Sequence, residues 1–119
     1  MIKVGYKVVE SSLRSPIMLG RRGAVEYKVN ESVHPNKGCG PLTVFKEKQA
    51  AEHFRNGLIL PLRIFKCFYI PSKAKEVWYI VDAQIVSTTS LEELISINFN
   101  ILAPGSVDLA KEVILAEEI

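Results

Sequence analysis

The sequence predicts an α+β fold: a single compact domain with a mainly antiparallel sheet of about five or six strands, packed by one longer and one short helix. Three observations carry this expectation. Several short segments alternate apolar and polar residues at period two. Two others place apolar residues at helical spacing. The strand candidates come in groups, whereas a parallel sheet would alternate them with helices. The 119 residues, 48% apolar and 24% charged, suit one folded domain and exclude disorder as the main state.

Ile2, Val4, Tyr6 and Val8 alternate with Lys3, Gly5 and Lys7, which predicts a half-buried first strand with the Ile2–Val8 set inward. Pro16, Gly20 and Gly23 punctuate a loop over 11–23 that carries Arg14, Arg21 and Arg22. Val25, Tyr27 and Val29 alternate again, predicting a second strand antiparallel to the first. The run from His34 to Pro41 is turn chemistry, and Leu42–Phe45 follows as a short strand.

A helix is expected over 46–56, with Ala50, Ala51, Phe54 and Leu58 on one face and Lys48 and Glu52 spaced to pair at the surface. Gly57 is placed to end it in a left-handed conformation. Residues 62–70 are apolar on both faces, which predicts a central strand with Phe65, Cys67 and Phe68 all buried. A polar connection over 71–76 suits a hairpin into a long strand over 77–86. Ser90 and Glu93 form a capping box ahead of a short helix whose buried face is Leu91, Leu94 and Ile95. Pro104-Gly105 is a turn, and 110–116 reads as the last strand, although its Ala, Lys and Glu leave a helix open there.

Candidate chemistry is sparse. Residues 1–60 carry a charge of +5 and residues 61–119 a charge of −3, yet no block of like charge demands a partner. His34, Cys39, His53 and Cys67 could in principle close a zinc site, but they lack the close pairs that zinc sites use, so no metal or other cofactor is expected. Cys39 sits between two glycines; a reactive thiolate needs a base or cation beside it, and a small residue in a tight turn accounts for it as well. Glu92 and Glu93 are adjacent on a helix and point apart, and their place in its first turn suits the macrodipole. The loop arginines Arg14, Arg21 and Arg22 are suited to bidentate contacts with a phosphate-bearing molecule. No nucleotide-binding glycine motif accompanies them, and no aromatics are interleaved as nucleic-acid binding would require. No segment is long and apolar enough for a membrane span, the start does not read as a secretory signal, and two cysteines fit a reducing compartment; a cytoplasmic location is expected.

Arg14, the run Ser87-Thr88-Thr89-Ser90, and Glu117 with Glu118 resemble the Arg, Ser-Thr-Ser and Glu elements of ADP-ribosyltransferases. The chain lacks the Glu-x-Glu of the arginine-modifying members and is short for that family. Tyr6-Lys7-Val8-Val9, Gly40 to Phe45, Ala51 with Phe54, and Leu109 to Val113 give a general likeness to small uncharacterised α+β proteins of prokaryotes and their viruses. These are mainly fold-determining residues, so the likeness implies a fold and no activity. The expectation is a non-catalytic interaction domain that binds a protein partner or itself. The alternative is a small ligand-binding domain or enzyme that uses the 11–23 arginines.

Overall fold

The computed structural model describes residues 1–15, 24–74, 76–80, 86–97 and 100–119. Its elements are β1 (Lys3–Glu10), β2 (Ser32–Val33), β3 (Leu42–Phe45), α1 (Lys48–Asn56), β4 (Leu62–Pro71), β5 (Glu76–Ile80), β6 (Val86–Ser90), α2 (Leu91–Ile97) and β7 (Val107–Glu118). The class is α+β with strand predominating, and every pairing between these strands is antiparallel.

The main sheet closes on itself. Strands run β7–β3–β1–β4, and β4 returns to β7, so four strands form a small barrel; β2 adds to β7 further along. The β1–β4 ladder is regular from Lys3↔Tyr69 to Glu10↔Leu62. The β4–β7 ladder shifts register twice, between Lys66 and Cys67 and between Ile70 and Pro71. Such bulges bend a strand pair and increase its twist, which closure of so small a barrel requires. β5 and β6 form a separate two-stranded ladder, with Ile80 opposite Val86.

Two cores follow from this closure. Val9, Val44, Phe65, Cys67, Tyr69, Val113 and Leu115 fill the barrel, joined by Val25 and Tyr27. Val8, Phe45, Ile64 and Val107 point outward and pack beneath Ala51 and Phe54 of α1 and Ile95 of α2. The rings of Phe45 and Phe54 lie 5.2 Å apart in a tilted contact. A strand such as β1 therefore buries residues on both faces where the helices cover it.

Several expectations need correction. In β1 it is Gly5, Lys7 and Val9 that face the interior, while Ile2 and Val4 are exposed. A barrel has an inside that the apolar alternation of this segment did not mark. Gly5 belongs there because a Cβ would lie 2.8 Å from the Phe45 carbonyl oxygen and 2.9 Å from Tyr69 Cε1. Residues 25–29 bury Val25 and Tyr27 as their alternation implied, but among the described residues they make only isolated bridges, Arg14↔Glu26 and Val29↔Leu115; β1 pairs with β3 and β4 instead. The two ends of the 77–86 segment belong to β5 and β6, which pair with each other, residues 81–85 lie outside the described residues, and among the described residues β4 is not paired with β5. Phe68 is 40% exposed and not buried.

Both helices form where expected. α1 buries Ala51 and Phe54 and ends with His53 and Arg55 in its last turn, favourable to the macrodipole. Gly57 ends it with φ −83°, a right-handed conformation and not the left-handed one expected. Its lack of a side chain serves close packing, since a Cβ would lie 2.2 Å from Ile101 Cγ2. At α2 the Glu93 N–H donates to Ser90 Oγ at 3.2 Å. The returning half of the capping box differs: the Glu93 carboxylate accepts from the Thr89 hydroxyl at 3.0 Å.

Candidate binding surface

The strand faces sort the polar groups into three environments: the barrel interior, the loop ends, and the outer wall that the helices leave uncovered.

Inside the barrel, Lys7 keeps only 5% of its surface exposed. Its ammonium donates to the Thr43 carbonyl at 2.6 Å and lies 5.5 Å from the centroid of the Tyr27 ring. Burial pulls the amine down to about 8, opposed by the nearby Cys67 thiol. Burial pushes that thiol up to about 11, opposed by Lys7 and by the Gly5 backbone N–H. Burial also holds the Tyr27 phenol far above its ordinary range, with Ser15 pulling the other way. The Tyr27 hydroxyl makes no hydrogen bond among the described residues, and the Ser15 hydroxyl is engaged with the backbone of Val25. At the barrel mouth Tyr69 donates to Asp108 Oδ2 at 2.8 Å, and Lys3 lies 3.9 Å from the same oxygen.

The sequence-derived candidates are dispersed. Arg14 is paired with Glu26 at 3.4 Å, both side chains about half exposed. Arg21 and Arg22 lie outside the described residues. His34 is held against β7, with Nδ1 3.2 Å from the Lys111 carbonyl oxygen and Nε2 3.2 Å from Glu112 Oε1. Cys39 lies in the turn with Sγ 3.7 Å from the Lys37 carbonyl oxygen, His53 is exposed on α1, and Cys67 is in the interior. Among the described residues no three His, Cys, Asp or Glu side chains gather as metal ligands would. Of the ADP-ribosyltransferase-like elements, Thr89 and Ser90 serve α2, and Glu118 forms a two-pronged pair with Arg63, at 3.0 Å to Nε and 2.7 Å to Nη2. Arg14 and Glu118 thus have separate partners, Glu26 and Arg63.

The outer wall carries what the sequence reading missed. Past the helix-covered end of the barrel, Val4, Phe68 and Ile114 stand in register on three adjacent strands, β1, β4 and β7. Val4 is 50% exposed, Phe68 is 40% exposed and Ile114 is half-buried. Ile70 lies two residues along β4 on the same face, and Ile2 precedes β1 with 69% exposure. A single exposed apolar residue on a protein is ordinary; here Val4, Phe68 and Ile114 adjoin across three paired strands. The even spacing of Ile64, Lys66, Phe68 and Ile70 was the available signal, since these four share one face. What the spacing omitted is that α1 and α2 cover only the Ile64 end of it.

Comparison with known protein families, with curated proteins and with solved structures returns no significant match. No helix among the described residues is long and apolar enough to cross a membrane.

Proposed function

We propose that this chain is a non-catalytic interaction domain that docks a protein on the uncovered outer wall of its barrel. The observation that carries the reading is the exposure of Phe68 on a strand hydrogen-bonded on both sides, with Val4 and Ile114 level with it. β4 is an interior strand of the sheet, so its backbone is satisfied and only its side chains are on offer. Recognition there works by burying apolar side chains against a partner. In protein interfaces a few residues near the centre of the patch carry most of the binding energy, and Phe68 holds that place here.

A photo-crosslinking phenylalanine derivative placed at position 68, in cells that make the protein, tests this. The same probe at Gln49, exposed on α1, serves as control. Discrete cross-linked species are expected from position 68 and not from position 49. Equal cross-linking at both sites, or none at either, would sink the proposal.

A further inference from the structure

We infer that the protein holds one water molecule in its interior, bridging the hydroxyls of Tyr27 and Ser15. The inference is independent of the docking surface and starts from a buried donor. Tyr27 is 1% exposed, and its hydroxyl makes no hydrogen bond among the described residues. A buried phenol normally finds a partner, because an unpaired hydroxyl gives up its hydration for no return. The residue is also fixed in place. Its N–H donates to the Leu13 carbonyl at 2.7 Å, and the Lys7 ammonium lies over its ring.

The register brings a second hydroxyl to the same place. Arg14 bridges Glu26 in antiparallel fashion, and the Ser15 N–H donates to the Val25 carbonyl at 3.0 Å. Leu13 and Ser15 therefore share a face with Val25 and Tyr27, while Arg14 and Glu26 pair on the opposite one. On that inner face Ser15 stands opposite Val25 and diagonal to Tyr27. Diagonal neighbours lie roughly 7–8 Å apart, within reach of an aromatic side chain. The two hydroxyls make no bond to each other, so the arrangement calls for a bridge between them. Burial is the main influence on the phenol and raises it, and Ser15 is the group that pulls it back, which agrees with their nearness.

Ser15 is itself buried, and its own proton is poorly used. Its Oγ accepts from the Val25 N–H at 3.1 Å. As a donor it reaches only the Val25 carbonyl, at 3.5 Å, which is long for a hydroxyl. Two buried hydroxyl protons thus lack a good acceptor. A water accepts one from each, and the Val25 carbonyl has a second lone pair for one of the water's own protons. Three such bonds are the usual complement of a buried water.

Tyr27→Phe tests this, because it keeps the ring and removes only the oxygen. If the water is bound, the substitution strands the Ser15 proton and the water, and the urea midpoint should fall. If the phenol is merely unpaired, its removal should raise the midpoint. Oxygen-17 relaxation dispersion of the solvent counts slowly exchanging internal waters and is blind to hydroxyl proton exchange. The parent should show one more such water than Tyr27→Phe. In a Ser15→Ala background the bridge is already cut, so Tyr27→Phe should shift the midpoint much less than in the parent.

A midpoint that rises or stays after Tyr27→Phe would overturn the inference. So would a dispersion that the substitution leaves unchanged, since the phenol would then bond to protein alone. An undiminished shift in the Ser15→Ala background would do the same. Should Ser15→Ala fail to fold, the midpoint and the dispersion of Tyr27→Phe decide.

Discussion

Lys7 and Tyr27 meet inside the barrel, the ammonium 5.5 Å from the ring centroid, with the Thr43 carbonyl as its hydrogen-bond acceptor. The aromatic face and one carbonyl dipole compensate only part of the lost hydration. The buried amine is therefore easier to deprotonate than in the unfolded chain, about 8 against 10.5.

This difference fixes a pH profile. Between pH 8 and 10.5 the unfolded chain binds more protons at Lys7 than the folded one, so stability rises with pH across that window. Taken alone, the full rise amounts to about 3 kcal/mol. Cys67 acts in the opposite sense: its thiol is raised from 9 to about 11, so its contribution is intact below pH 9 and is lost as pH rises through 11. Tyr27 and Tyr69, both raised from 10, add to the loss above pH 10. Urea melts stepped through pH should show stability climbing from pH 8 to a maximum between about 9 and 10, then falling. Lys7→Met should remove the climb and leave the alkaline fall. A parent protein flat between pH 8 and 9 would contradict the buried position of this amine.

Gly5 makes a second prediction at the same wall. Its missing side chain lets the Phe45 carbonyl and the Tyr69 ring close over β1, where a Cβ would lie 2.8 Å and 2.9 Å from them. The nearest atom is backbone, which cannot swing away. Gly5→Ala should cost about 1–3 kcal/mol through overpacking. Ordinary entropy arguments alone would have alanine in a strand stabilise. A stabilising or neutral change in a denaturant melt would show that β1 and β3 stand further apart.

The third prediction concerns α2. The Ser90 hydroxyl accepts from the Glu93 N–H at 3.2 Å, one of the first-turn donors that would otherwise lack a partner. Ser90→Ala should destabilise the fold by about 0.5–2 kcal/mol. Thr89→Val should cost less, because it keeps the side-chain volume and removes only the bond to Glu93, whose exposed carboxylate regains water. Thermal melts of the two variants side by side would test that ranking, and a larger effect at Thr89 would reverse it.

Much of the fold was legible in the sequence, and the misses share a cause. Leu42–Phe45, the Ala51–Phe54 face and the Ser90 cap depend on local chemistry, and local chemistry is what a sequence displays. Lys7 was placed toward solvent because a period-two pattern assigns charge to the wet side, which holds for an open sheet. In a closed barrel the strand face is chosen by closure, and the long lysine stem can supply core volume while its ammonium finds an internal carbonyl. Phe68 failed for the mirror reason. Its strand is apolar on both faces, which signals burial on both only where something covers the outside. Here α1 and α2 cover Ile64 and stop short of Phe68. The outer-wall strip was thus present in the sequence as residues and absent from it as a surface.

Phe65 and Phe68, three residues apart on β4, make the final prediction because the sequence treats them alike and the fold does not. Phe65 points into the barrel with 2% exposure among Val9, Cys67 and Leu115. Phe65→Ala removes a full side chain from a packed interior and should cost about 3–5 kcal/mol. Phe68 points outward and keeps 40% of its surface in water. Its truncation leaves no closed cavity, and only the buried part of its transfer energy is lost, about 1 kcal/mol. Denaturant melts should therefore separate the two variants by roughly 2 kcal/mol or more, in a fold small enough for that to shift the midpoint plainly. Partner binding should reverse the order: Phe68→Ala should abolish docking at the outer wall while the fold stays intact. Equal stability losses at the two positions would mean that Phe68 is covered within the monomer, and the outer wall would then have nothing to offer a partner.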